Sequence, residues 1–246
     1  MLLLLPPSET KRDGGADGSR LELNSLGFSS LTEQRVVATS ALVALAASVE
    51  ESTRALKLGR TQSFEVERNR ALLSSPVMPA IDRYTGVIYD ALDAASLSTE
   101  TRAFAADHLA IGSALFGLLR ADDLIPAYRL SYDSRLPGIA LRRHWRVGVE
   151  AELRQRAGLT LDLRSEAYAG LGRAGQGSFY LRVLSEGGDG RRIALSHFNK
   201  HAKGEFTRAL LESGVVHSTA DELVAWARKN QINLDYGAPG ELDLVV

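Results

Sequence analysis

Short apolar runs alternate with stretches of helical periodicity along this chain, and glycine and proline punctuate both. Leu2 to Leu5 is a continuous apolar run stopped by Pro6 and Pro7, the pattern of a strand buried on both faces. Ser8 to Arg20 is polar and glycine-rich, which predicts a loop. Ser29 or Ser30 is placed to cap a helix through Leu31 to about Ser48, with Glu33 in its first turn. Further helical stretches run from Val49 to Leu58, Ser63 to Leu73 and Val87 to Leu92, and another follows a cap at Ser98. Leu109 to Leu119 is apolar but broken by Gly112 and Gly117, and its periodicity does not separate helix from strand.

Leu141 to Ala157 predicts an amphipathic helix with Trp145, Val149 and Leu153 on one face, ended by Gly158. Leu159 to Leu163 alternates as a strand does. Ser178 to Ser185 and Arg191 to His197 read as a hairpin around Gly187-Gly188-Asp189-Gly190. Asn199 to about Ser213 and Ala220 to Lys229 are helical, and Ile232 to Leu234 and Leu242 to Val246 are short closing strands. Helices and strands interleave without a linker. The expected fold is therefore one α/β domain over residues 1–246, a mixed sheet surrounded by helices.

Composition narrows the chemistry. Hydrophobic residues at 45% and charged residues at 24% are ordinary for a globular chain. The absence of cysteine removes disulfides, thiolate metal sites and cysteine nucleophiles. The apolar start is too short for a signal-peptide core and no run spans a bilayer, so a cytoplasmic protein is expected. Net charge is −1, which does not suggest a nucleic-acid binder, but the charge is uneven. Over residues 120–208 Lys and Arg outnumber Asp and Glu by 16 to 10, between two acidic flanks. Such a block either decorates solvated helix faces or concentrates positive potential in one place.

Several motifs bear on function. Gly170-Leu171-Gly172-Arg173-Ala174-Gly175 has dinucleotide-fingerprint spacing, yet a short helix precedes it and a strand follows, the reverse of what a pyrophosphate site requires. His197 and His201 lie four apart without the neighbouring glutamate or third ligand of a zinc site, so no metal is expected. Direct iron storage is equally unsupported, and no cofactor is expected. Leu136-Pro137-Gly138-Ile139-Ala140 resembles the hairpin of a helix-hairpin-helix element and also suits an ordinary turn before a helix. Ser8, Glu9 and Lys11 follow the first strand, where α/β sheets bind ligands, and can support nucleophilic or acid–base chemistry or form a solvated turn. Lys200 and Lys203 near a helix start point to an anionic partner.

Five segments in order resemble the YaaA family of peroxide-stress proteins. Leu4-Leu5-Pro6-Pro7-Ser8-Glu9-Thr10-Lys11 is similar to the family's N-terminal strand and loop, and Tyr84 to Leu92 to its central segment. Ser113 to Leu130 (SALFGLLRADDLIPAYRL), Asp162 to Tyr168 and Ser196 to Gly204 complete the resemblance. It implies a compact mixed α/β fold with a positively charged cleft and a helix-hairpin-helix element. It further implies DNA binding with little sequence preference and a part in protection against peroxide. The element would lie at the Leu136 turn or around Ser113 to Leu124.

Two functions fit these residues. In the first, a DNA-binding protein of the oxidative stress response protects or helps repair DNA, with Lys11, Arg12, Arg129, Arg135, Arg142, Lys200 and Lys203 facing phosphates. In the second, an enzyme acts on a nucleotide or nucleobase in the same cleft. Ser8, Glu9, Lys11 and Tyr168 are then the catalytic candidates, and Tyr128, Asp162 and Asn199 line the cleft. Convergence of Glu9, Lys11 and Lys200 on one closed pocket favours the second; their spread along an open groove favours the first.

Overall fold

The computed structural model describes residues 1–186, 192–194 and 198–246. Its strands are β1 (Leu2–Leu5), β2 (Met78–Pro79), β3 (Leu109–Ser113), β4 (Gly117–Arg120) and β5 (Leu124–Ile125). They continue with β6 (Thr160–Asp162), β7 (Ser178–Glu186), β8 (Arg192–Ala194), β9 (Leu234–Tyr236) and β10 (Glu241–Val245). The helices are α1 (Thr32–Leu45), α2 (Val49–Ala55), α3 (Phe64–Arg70), α4 (Ala80–Arg83) and α5 (Val87–Leu92). After them come α6 (Thr99–His108), α7 (Leu141–Arg154), α8 (Glu166–Ala169), α9 (Phe198–Ser213) and α10 (Ala220–Lys229).

The main sheet runs β4-β3-β1-β6-β7-β10-β9, with β8 paired to β7; β2 and β5 form a separate small sheet. The five central strands, β3-β1-β6-β7-β10, are parallel, and β4, β8 and β9 are added antiparallel. β1 lies between β3 and β6, and for that reason all four of its leucines are buried. A strand covered on both faces has no polar side to alternate with. The expected α/β domain with a mixed sheet is what the chain forms.

The undecided segment from Leu109 to Leu119 is the β3–β4 hairpin. Every residue of it is buried, so neither strand shows alternation. Gly117 takes φ +73° at the turn, and a Cβ there would meet the Trp145 ring at 2.8 Å. Trp145 itself is fully buried on the apolar stripe of α7, with Leu141, Val149 and Leu153. Its indole N–H donates to Ala114 O at 2.8 Å. Ser98 caps α6 as expected, but α1 begins only at Thr32, after a 3-10 turn at Ser29–Leu31, and no side chain caps it. The predicted turn at residues 187–190 lies outside the described residues.

Two fully buried arginines tie loops to this frame. Arg35 donates to the carbonyls of Gly27, Phe116 and Leu118. Arg83 donates to those of Arg12, Gly14, Pro76 and Ile125. Burial lowers the pKa of each to about 10.

Helix α9 crosses α5 through Gly204. A Cβ at this position would lie 2.3 Å from Ile88 O and 2.7 Å from Ala91 Cβ, both on α5. Gly204→Ala is therefore expected to destabilise by about 2 kcal/mol, the usual cost of overpacking. At roughly 2–4 °C per kcal/mol, a thermal melt should fall by about 4–8 °C. An unchanged melt would show that α5 and α9 slide apart freely.

Candidate functional site

The connection from β1 leads to β3 on one side of it, and the chain then crosses back to β6 on the other. β1 and β6 thus flank a topological switch point, where the loops leaving their C-terminal ends diverge and open a crevice. A pocket of about 530 Å³ occupies that place. Pro6 to Thr10 line it from the loop after β1, and Leu163, Ser165, Glu166 and Tyr168 from the segment after β6. Thr85 to Tyr89, Tyr132, Tyr180 on β7, and Asn199, Lys200 and Lys203 on α9 close the remaining walls.

Glu9 is the central acid. Its Oε1 accepts from the Tyr168 hydroxyl at 3.2 Å, and its Oε2 lies 3.5 Å from Arg129 Nη1. Oε2 is buried and, among the described residues, accepts no hydrogen bond. Burial, followed by the charge of Glu9, drives the Tyr168 hydroxyl far above the ordinary tyrosine range, so it stays protonated and donates. Arg129 is fixed through its backbone, which exchanges two hydrogen bonds with the Asn69 side chain. Tyr132 packs edge-on against Tyr168, with ring centroids 5.3 Å apart, and remains 44% exposed. Burial also raises Tyr180, to about 12.

The two lysines of this region turn inward. Lys11 Nζ donates to Ser8 O at 2.9 Å and Glu9 O at 3.2 Å, and lies 4.2 Å from the centroid of the Tyr128 ring. It is 6% exposed, and burial lowers its pKa to about 7 against the opposing pull of Glu9 and Glu65. Lys203 Nζ donates to Leu163 O at 3.0 Å. Burial lowers it to about 8, opposed by Asp162 and Glu166. Each ammonium thus holds the carbonyls of a strand-end loop, Lys11 after β1 and Lys203 after β6.

Several expected placements are corrected by this geometry. Lys11 cannot face a phosphate, because its ammonium lies beneath the Ser8–Glu9 turn. Tyr128 is interior: its hydroxyl bonds those of Tyr84 at 2.7 Å and Ser113 at 2.8 Å. Asp162 is buried below the pocket in a two-point pair with Arg164, at 2.9 and 2.8 Å. Arg12 is exposed beside a smaller recess of about 90 Å³ that also contains Asp82, Asp90 and Asp93. Arg135 is exposed on the turn before Leu136, and Arg142 on the solvent side of α7; neither lines the pocket. Ser8, Glu9, Tyr168, Asn199, Lys200 and Lys203 do line it. Glu9 and Lys200 therefore meet in one pocket, with Lys11 underneath.

The described residues do not show a basic cleft. Among the described residues the pocket wall sets Lys200 and Lys203 against Glu9 and Glu166. The basic central block is dispersed instead: Arg142, Arg143 and Arg146 are exposed on α7, and Arg164 is spent on Asp162. Neither segment considered for a helix-hairpin-helix has two flanking helices. Ser113 to Leu124 belongs to the β3–β4 hairpin and β5. The Leu136–Ile139 turn, with Gly138 at φ +75°, precedes α7 but follows non-helical chain from Pro126 to Arg135.

The glycines at 170–175 follow α8 and precede β7, the order that excludes a pyrophosphate cradle. His197 lies outside the described residues, and His201 is exposed beside Glu205 at 3.2 Å. Among the described residues no three potential ligands gather to hold a metal ion, and no helix is long and apolar enough to cross a membrane. Tyr132, Tyr180, Ser165 and Glu166 were not anticipated as lining. Their signal was positional: three of them lie after or beside β6, but only strand order makes β6 the neighbour of β1.

Fold and site together define an α/β protein with a mixed, largely parallel sheet and a pocket at its switch point. The sequence profile of the peroxide stress protein YaaA matches residues 1–231. A UPF0246 protein of Corynebacterium glutamicum (strain R) is 43% identical over 233 residues, covering 93% of this chain and 92% of its own. One from Corynebacterium efficiens is 42% identical over the full length of both chains, and one from Streptomyces coelicolor is 40% identical over 98% of this chain and 94% of its own. The chain belongs to the YaaA (UPF0246) family of peroxide stress proteins.

Proposed function

We propose that the pocket receives a nucleobase or nucleotide, free or turned out of a DNA strand, and that the protein serves the peroxide stress response through this binding. The observation that carries the proposal is the makeup of the pocket. Its volume suits one small organic ligand, and it combines aromatic walls with a few converging polar groups. Tyr132 offers an exposed ring for stacking, and Glu9 offers a carboxylate held on two sides for hydrogen bonding to a base edge. An intact duplex does not fit such a recess; a single extruded base does.

Tyr132→Ala is expected to weaken binding of single-stranded DNA and mononucleotides about tenfold, within the roughly 1–3 kcal/mol that a base–aromatic stack contributes. Fluorescence titration of the two ligand types against both proteins tests this. Equal affinities for variant and parent would overturn it.

Binding to the outside of DNA is a second reading, supported by the exposure of Arg12, Arg135 and Arg142. Duplex titrations at several salt concentrations separate the two. Phosphate contacts give a slope of log affinity against log salt of roughly −0.9 for each contact, and Tyr132→Ala leaves that slope unchanged.

A further inference from the structure

We propose that Lys203 is an amine nucleophile that forms a reversible imine with an aldehyde held in the pocket. The inference rests on the nucleotide reading, and it names a ligand class for the same site: the open-chain deoxyribose aldehyde left when a nucleotide loses its base.

Lys203 both holds the loop after β6 and forms part of the pocket wall. Its side chain is 5% exposed and forms part of the wall. Among the described residues its Nζ has one hydrogen bond, to Leu163 O, and the Tyr180 ring stands 5.4 Å away. The two acids closest to it in effect are engaged elsewhere. Asp162 is held by Arg164 through two hydrogen bonds, and Glu166 lies 3.3 Å from Arg173. Among the described residues no carboxylate stands within ion-pair distance of Lys203. A desolvated ammonium without a counter-ion releases its proton readily, which is the condition for amine nucleophilicity at neutral pH.

Lys11 is the natural comparison. It is as deeply buried, but two carbonyls and an aromatic face enclose its nitrogen, and it does not line the pocket. Lys200 lines the pocket but is exposed and solvated. Lys203 alone among these three combines access to the cavity with removal from water.

The step balances without an oxidant or reductant. The neutral Nζ attacks the aldehyde carbon; a C–N bond forms as the C=O π bond breaks, and the oxygen takes a proton. The nitrogen gives up a proton, and the resulting carbinolamine loses its hydroxyl as water, with a proton delivered from solvent at the mouth of the pocket. The product is an iminium ion, which water hydrolyses in reverse.

Borohydride trapping provides the test. The full-length protein is incubated with 2-deoxyribose 5-phosphate or with an oligonucleotide carrying an abasic site, reduced, and mapped by peptide mass spectrometry. The expected result is one secondary-amine adduct, on Lys203, at least tenfold above any adduct on Lys57, Lys200 or Lys229, and its loss in Lys203→Arg. An adduct spread evenly over the lysines, or none with either probe, overturns the proposal. The wild-type map decides this even if the variant folds poorly. Nucleotide titration on the same preparation separates the two levels: binding retained without an adduct removes only the imine, whereas absent nucleotide binding removes the pocket reading.

Discussion

Arg83→Met should lower the melting temperature by about 10 °C. The guanidinium is fully buried, and it donates to four backbone carbonyls from three separate stretches of chain: the loop after β1, the Pro76 turn and β5. Methionine fills much of the volume but donates nothing, and leaves those acceptors unpaired. Arg12 and Gly14 lie in exposed loop and can recruit water, whereas Ile125 is fully buried and Pro76 half-buried. At about 1–3 kcal/mol for each carbonyl that stays dry, the loss is about 3–5 kcal/mol. Removing a buried charge offsets part of this, but here the partners are fixed carbonyls that remain in place. Arg83→Lys should recover only part of the loss, because one ammonium cannot span four acceptors set around a planar fork. Differential scanning calorimetry measures the change. A fall of less than about 3 °C would show that solvent reaches these carbonyls when the side chain is shortened.

Lys11 should make the folded state more stable as pH rises from about 7 towards 10. Its pKa is about 7 in the folded chain and 10.5 as an ordinary lysine. Below pH 7 both states carry the proton. Between the two values the unfolded chain still holds it while the folded chain has released it. The unfolded state therefore binds more protons, and stability climbs with pH, by at most about 1.4 kcal/mol for each pH unit. Lys203 adds in the same direction from about pH 8. Two tyrosines act oppositely above pH 10: buried Tyr84 and half-buried Tyr180 are raised to about 12, so the unfolded chain loses those protons first. Urea midpoints at pH 6, 7, 8 and 9 should thus rise more steeply for the parent than for Lys11→Met, the difference in slope being the signature of this one amine. Parallel profiles would mean that Lys11 keeps an ordinary pKa. The variant also loses the two hydrogen bonds that hold the Ser8–Glu9 turn, so Glu9 should be displaced and nucleotide affinity lowered along with it.

Local pattern carried most of the secondary structure. The all-leucine run of β1, the apolar stripe of α7 and the Ser98 cap each depend on neighbours within one or two turns of chain, and such neighbours are visible in sequence. Leu109 to Leu119 was undecidable because a hairpin buried on every side carries no period; only its pairing, Ser113 opposite Gly117, makes it two strands. The order around the Gly170 to Gly175 spacing, a short helix before it and a strand after, is itself a local property, and the structure has that order.

The site divided along the same line. Sequence placed Ser8, Glu9, Tyr168, Asn199, Lys200 and Lys203 at loops and near helix starts beside strands, and all six line the pocket. It could not tell which charged groups point into that space. Lys11 lies two residues from Glu9, yet one reaches down to backbone carbonyls and the other up to Tyr168 and Arg129. Asp162 and Tyr128 looked like lining and are instead satisfied beneath it. The chain by itself determined most of the elements, the α/β class and the family, because these follow from short-range periodicity and continuous motifs. Strand order, and with it the meeting of the β1 and β6 loops, was decided only by the tertiary structure. So was the burial that lowers the pKa of Lys11 and Lys203 and leaves the arginines of α7 in water, since desolvation depends on what the distant parts of the chain pack against each side chain.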